Sequence, residues 1–296
     1  MIPQLGQGKF RYEEVAGWGR GPKGRAVGMA SGVAVDSQDR VYVVDREPRP
    51  AILVYDRAGN FLTSWGEDVF VLPHDIWISP DDRLFIADCG DHTVRICTTD
   101  GKILLTLGTP PPHPQMCGQP GAPGQPFNMP TRAVQAPNGE IYVSDGYKQE
   151  YVHRFSAEGA LLQTWGGKGS GPGQFTLPHN VYLAPDGRVL VADREPNNRI
   201  QVFDAKGKFL ALWPGRLFPC GLFINAEGVV YVAEGGGVSI FNLDGQLLSR
   251  FDVRGDPEDV NHGAHGIWVD RHGDIYVGEV GAPDLLKKFA LLPQAT

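Results

Sequence analysis

The chain has 296 residues, 42% of them hydrophobic and 10% aromatic, with a formal net charge of −7. Charge is dispersed and lacks the basic clusters of a nucleic-acid footprint, and no apolar run approaches membrane-spanning length, so neither nucleic acid nor membrane is expected as a partner. No stretch has the charged start and apolar core of a signal peptide, which makes a cytoplasmic location the expectation.

Taken in chain order and laid against itself, the sequence contains six copies of one unit. Their centres read Val41-Tyr42-Val43-Val44-Asp45, Leu84-Phe85-Ile86-Ala87-Asp88, Ile141-Tyr142-Val143-Ser144-Asp145, Val189-Leu190-Val191-Ala192-Asp193, Val229 to Glu234 and Ile275 to Glu279. The acids are 43, 57, 48, 41 and 45 residues apart, close to the period of a four-stranded propeller blade. The long interval contains a Pro/Gly-rich insertion from Thr109 to Pro126, read as a surface loop over one mouth of the ring.

Each unit holds four short extended runs. In the fourth they are Asn180 to Ala184, Arg188 to Ala192, Arg199 to Asp204 and Lys208 to Trp213. Asp100-Gly101, Asn138-Gly139, Asp186-Gly187 and Asp244-Gly245 separate apolar runs and offer the positive φ of tight hairpins. No segment keeps helical periodicity for three turns. The expected fold is all-β, a six-bladed β-propeller forming one domain over 1–296. Its blades lie near 27–66, 69–108, 125–166, 173–213, 217–251 and 260–291, the last completed by 10–19. That N-terminal run ends in Trp18-Gly19, as other units end in Trp65-Gly66 and Trp165-Gly166, and it is expected to close the ring and remove unpaired edges.

Cys89, Cys97, Cys117 and Cys220 follow neither a disulfide nor a zinc-knuckle spacing. Free thiols are expected, with Cys89 and Cys97, which flank a hairpin loop, the one pair placed to meet.

The position just before each innermost strand reads Ser31, His74, Thr131, His179, Cys220 and His265. First strands line a propeller's central channel, so histidines on alternate blades stand roughly 120° apart and converge on the axis. Three neutral imidazoles with one side open are the ligand set of a catalytic zinc site, other divalent transition metals being admissible. His262 competes with His265 for the third place. His92, His113, His153 and His272 fall in loops or outer strands and are read as solvated.

Two units share Asp45-Arg46-Glu47-Pro48 and Asp193-Arg194-Glu195-Pro196. Arg46 and Arg194 face each other across the ring, where each can either grip a carboxylate or pair with a neighbouring acid. At the matching turn of the third unit, Gly146 permits a sharp bend that leaves Tyr147 either over the mouth as a base or as an ordinary half-buried ring.

With these residues assembled, the chain resembles peptidyl-α-hydroxyglycine α-amidating lyase, a six-bladed propeller of NHL-type repeats. The resemblance is densest in Val71-Leu72-Pro73-His74, Met129-Pro130-Thr131, Val143-Ser144-Asp145-Gly146-Tyr147, Gly173 to His179 and Val191-Ala192-Asp193-Arg194-Glu195. It implies zinc on His74, His179 and His265, Tyr147 as catalytic base, Arg46 and Arg194 as pocket arginines, and cleavage of a peptidyl α-hydroxyglycine to an amide and glyoxylate. The family's structural calcium uses an Asp after its third ligand; Gly266 stands there and speaks against calcium. Asn128 and Lys148 replace the cysteines of the family's disulfide beside the tyrosine; loss of both features fits a reducing compartment or a relative whose substrate has changed. No monooxygenase domain accompanies the repeats, so a hydroxylated substrate would come from another protein. A monomer acting on a small-molecule or peptide substrate with a carboxylate is expected. The alternatives are a metal-dependent lactonase- or esterase-like hydrolase and a non-enzymatic NHL scaffold.

Overall fold

A computed structural model describes residues 4–21, 27–110, 126–215, 218–253, 263–281 and 286–294. Among these residues there is no helix, and hence none long and apolar enough to cross a membrane. Five four-stranded antiparallel sheets and one of five strands make six blades. Blade one comprises Ala30–Val35, Val41–Asp45, Ala51–Tyr55 and Phe61–Trp65, and blade two Pro73–Ile78, Leu84–Asp88, Thr93–Cys97 and Ile103–Leu107. Blade three has Pro130–Gln135, Ile141–Asp145, Tyr151–Phe155 and Leu161–Gly166; blade four has Pro178–Leu183, Val189–Asp193, Arg199–Phe203 and Phe209–Trp213. Pro219–Ile224, Val230–Glu234, Gly237–Phe241 and Leu247–Asp252 form blade five.

Blade six begins with Gly263–Val269, Ile275–Val280 and Leu286–Leu291 and is completed by Phe10–Glu14, which pairs Tyr12 with Leu291 and Glu14 with Phe289. Chain closure is therefore by the N-terminal strand, with a further edge strand, Leu5–Gln7, outside it. The strand is shorter than the 10–19 read from sequence. Gly17 and Gly19 take φ of 70° and 75°, turning the chain off the sheet before Trp18.

Blades pack face to face, so their strands are buried on both sides and read as continuous apolar runs. The second strands of blades one to five are buried throughout, whereas fourth strands expose residues such as Leu62, Leu104, Leu162 and Leu210. The repeated Trp has a rim function. Trp18, Trp65, Trp165 and Trp213 each lie on a hairpin glycine of the following blade, where a Cβ on Gly59, Gly101, Gly207 or Gly245 would come within 2.8, 2.7, 2.6 or 2.7 Å of the indole. Trp18 also donates to the Arg57 carbonyl at 3.0 Å and packs against Tyr55 and Tyr276, joining blade six to blade one. In the Asp-Gly and Asn-Gly hairpins only the glycine takes positive φ.

Burial overturns the solvated reading of two histidines. His153 is 3% exposed, bonds Thr164 Oγ1 at 2.8 Å and lies against Phe127; His92 is fully buried in its loop. His272 is exposed and lies 3.2 Å from Asp39. Cys89, Cys97 and Cys220 are free, so the pair considered for a bridge is not joined. His113 and Cys117, with most of the Pro/Gly-rich insertion, and His262 lie outside the described residues.

In blades one to four the Asp ending the second strand shapes the loop that feeds the axis. Asp88 accepts from the amides of Val71 and Leu72 at 2.8 and 2.9 Å, and Asp193 from those of Thr176 and Leu177 at 2.9 and 3.1 Å. Asp193 also holds Arg199 at 2.9 Å and is fully buried. Asp193→Ala strands these donors and the guanidinium, and is expected to cost about 3–5 kcal/mol, the usual penalty for breaking a buried ion pair. Urea denaturation checks this; a loss below about 1 kcal/mol contradicts the anchoring role.

Candidate metal and catalytic site

In every blade the ladder slips by one residue at the same place. Pro73 pairs with Asp88 and Asp75 with Ala87, leaving His74 between them without a partner; His179 and His265 occupy the same slips in blades four and six. Ser31, Thr131 and Cys220 do so in blades one, three and five. A bulge re-aims the side chain it carries, and here it turns six of them into one layer around the axis.

The three imidazoles form a nearly equilateral group, with ring centroids 4.6, 4.9 and 4.8 Å apart. Their inward nitrogens all lie within 4.8 Å of one another. Each outward Nδ1 meets a carbonyl of the next blade: His74 with Thr131 at 2.7 Å, His179 with Cys220 at 2.9 Å and His265 with Ser31 at 2.6 Å. A carbonyl only accepts, so Nδ1 carries the proton and Nε2 presents a lone pair to the axis.

Burial is the main cause holding all three rings below the ordinary histidine pKa, His265 to about 3. Arg46 adds to the effect at His74 and His265, and Arg194 at His179. The neutral rings thus face one another with unprotonated nitrogens, and His74 Nε2 and His179 Nε2 are 3.2 Å apart. Two lone pairs at that separation repel unless a hydrogen-bond donor or a cation lies against them. Metal–nitrogen bonds of 2.0–2.1 Å in a tetrahedron give a nitrogen separation of roughly 3.3–3.4 Å, so the residues present fit a divalent metal.

The Tyr147 hydroxyl lies 3.0 Å from His74 Nε2 and 3.1 Å from His179 Nε2. Gly146 enables this by close approach: a Cβ there would stand 2.4 Å from the Pro178 carbonyl oxygen. Its φ is not among the positive values, so the sharp-bend explanation is replaced by a steric one.

Above the layer is a cavity of about 390 Å3 lined by Arg46, Tyr147, Arg194, Phe218, Cys220 and His265, among others. The two arginines do different things. Arg46 donates from Nε to the Pro73 carbonyl at 2.9 Å, while its buried Nη2 has no hydrogen-bond partner among the described residues. Arg194 is gripped by Glu195 at 3.0 and 3.3 Å and stacks 3.8 Å from Phe218. Of its two sequence alternatives the ion pair with a neighbouring acid is the one seen, and the residue also lines the cavity. Cys220 completes the layer, its thiol pushed by burial up to about 11. Asn128 and Lys148 are joined by a 3.2 Å hydrogen bond beside Tyr147. The bulge and the Arg194–Glu195 pair left no separate trace in the sequence beyond the aligned column and the shared Arg-Glu-Pro phrase.

The NHL repeat model matches residues 175–203. Peptidyl-alpha-hydroxyglycine alpha-amidating lyase 1 of Drosophila melanogaster is 32% identical over 111 residues, 36% of this chain and 19% of the relative. Peptidyl-glycine alpha-amidating monooxygenase of Mus musculus is 32% identical over 204 residues, 58% of this chain and 20% of the relative. The matched stretches thus span about a fifth of those relatives' length, and they support the resemblance seen in the sequence. A gluconolactonase from Xanthomonas campestris superposes with a TM-score of 0.68 at 16% identity, covering 99% of this chain and 95% of the other, a likeness of fold.

Purified protein is expected to carry about one divalent transition metal per chain by elemental analysis, and chelation should lower its melting temperature. A metal present at a thousand times its Kd contributes about 4 kcal/mol. In His179→Ala, metal content should fall at least tenfold and the chelator effect vanish. Metal-free protein that is indifferent to chelator and to added zinc would refute a metal site.

Proposed function

We propose that the protein is a metal-dependent carbon–nitrogen lyase that splits an acyl- or peptidyl-α-hydroxyglycine into an amide and glyoxylate. The observation carrying this reading is the convergence of three unprotonated imidazole nitrogens with the Tyr147 hydroxyl 3.0 and 3.1 Å from two of them. The named amidating relatives support it from sequence.

His74, His179 and His265 would hold the ion, zinc being the first candidate for an all-nitrogen set. When bound it supplies Lewis acidity toward the substrate's oxygens. Arg46 Nη2, a buried donor without a hydrogen-bond partner among the described residues, binds the glycine carboxylate and sets the substrate's direction in the cavity. Arg194, fixed by Glu195 and Phe218, forms the opposing wall and keeps positive charge near the same end.

Tyr147, as the phenolate that a bound cation beside it would favour, takes the proton of the α-hydroxyl as that carbon becomes an aldehyde. The C–N bond breaks with its electron pair going to nitrogen, and one proton returned to nitrogen yields the amide. Atoms balance without water or an oxidant. Lactone or ester hydrolysis in the same cavity would instead consume water and release an acid.

The test is glyoxylate release from an N-acyl-α-hydroxyglycine by metal-loaded protein. Tyr147→Phe is expected to lower kcat by about 10²–10⁴ with KM little changed. Arg46→Ala should lose about 1.5–3 kcal/mol of binding, seen mainly in KM. Loaded protein that leaves the spontaneous rate unchanged rules the lyase out.

A further inference from the structure

One residue below the histidine layer, the channel is built asymmetrically. The positions following the six bulged residues are Gly32, Asp75, Arg132, Asn180, Gly221 and Gly266. On blades five, six and one the glycines let inner strands touch by backbone. A Cβ on Gly221 would meet the His265 carbonyl at 2.4 Å, one on Gly266 the Gly32 Cα at 2.6 Å, and one on Gly32 the Asp75 Oδ1 at 2.6 Å.

On blades two, three and four the same level is spanned by side chains. Arg132, 1% exposed, donates from Nη1 to Asp75 Oδ1 at 2.7 Å and to the Ile76 carbonyl at 2.8 Å. Asn180 donates to the other Asp75 oxygen at 2.9 Å. Asp75 and Asn180 directly follow His74 and His179, and Arg132 follows Thr131, whose carbonyl holds the His74 ring.

We propose that Arg132 is a positioning residue for the metal: a built-in cation at the axis that ties blades two, three and four together and thereby sets the spacing of His74 and His179. The inference rests on reading the histidine layer as a metal site. The chain does at this level with a guanidinium what a bound ion would do, drawing carboxylate, amide and carbonyl groups from neighbouring blades to one point. Arg132 Nε and Nη2 and Asn180 Oδ1 are buried without a hydrogen-bond partner among the described residues, which leaves polar capacity on the same clamp. Buried ion pairs add little net stability when compared with apolar packing. Retention of such a pair beside the ligands therefore points to geometry as its use.

The experiment is zinc affinity of the full chain by competition with a chromophoric chelator, read beside the melting temperature of the metal-free form. Three variants are compared: Asn180→Ala, Arg132→Lys, and the double substitution Asp75→Leu with Arg132→Met. Outer-shell partners typically govern metal affinity by 10–100-fold. Zinc binding is expected to weaken by that factor in Asn180→Ala and in the double variant, with Arg132→Lys recovering part of it. The metal-free double variant should melt at or above the wild-type temperature, because an apolar pair replaces a buried ionic one. Wild-type zinc affinity in the double variant overturns the proposal. So does affinity that falls only in step with metal-free stability, or failure of all three variants to fold, since each assigns the pair a purely structural role. Absence of zinc from the wild-type protein would instead sink the metal reading and the clamp with it.

Discussion

The site depends on a belt of hydrogen bonds that passes from blade to blade through the bulged residues. His265 reaches the Ser31 carbonyl, Ser31 Oγ the Pro73 carbonyl at 3.3 Å, His74 the Thr131 carbonyl, Thr131 Oγ1 the Pro178 carbonyl at 3.0 Å, and His179 the Cys220 carbonyl. Five of the six blade junctions are thus bridged by the side chain that points toward the axis. These groups are buried, so each bond left unmade would cost the full desolvation of its donor. The same bonds choose the imidazole tautomer. The bonds that join neighbouring blades at this level also set the inward direction of the nitrogen lone pairs.

Two further levels support that layer. Outside it, the aspartates closing the second strands of blades one to four hold the amides of the incoming loops, next to where those bulges start. Beneath it, the Asp75–Arg132–Asn180 clamp and the glycine contacts close the axis from opposite sides. At the rim, Trp18 seated on Gly59 repeats for the closing junction what Trp65 on Gly101 does within the chain. A strand from the N-terminus can complete the last blade because its tryptophan finds the same socket as the others.

The cavity is electrostatically uneven. Arg194 has its charge matched by Glu195, whereas Arg46 keeps a buried donor without a hydrogen-bond partner among the described residues, so the two arginines of the shared Arg-Glu-Pro phrase are not equivalent. Both depress proton binding at the histidines, and burial does more. A site of unprotonated nitrogens beside a free guanidinium suits a cation and an anion held side by side, the arrangement a carboxylate-bearing substrate of a metal enzyme requires.

The sequence by itself determined the six units, the strand-turn rhythm, the N-terminal closure and the column holding His74, His179 and His265, because repeats are visible wherever local pattern and period agree. It misjudged His92 and His153, both buried; His153 is enclosed by Phe127, Gln149 and Thr164, residues that lie apart from it in sequence. Gly146 was legible as necessary, yet the reason, close passage to the Pro178 carbonyl, involves a residue thirty-two positions away. Tertiary structure alone decided the bulge that turns each ring residue to the axis, the tautomers, and the different loads carried by Arg46 and Arg194. These are contacts between blades, and a one-dimensional pattern records which residue stands at a position without recording what the next blade places against it.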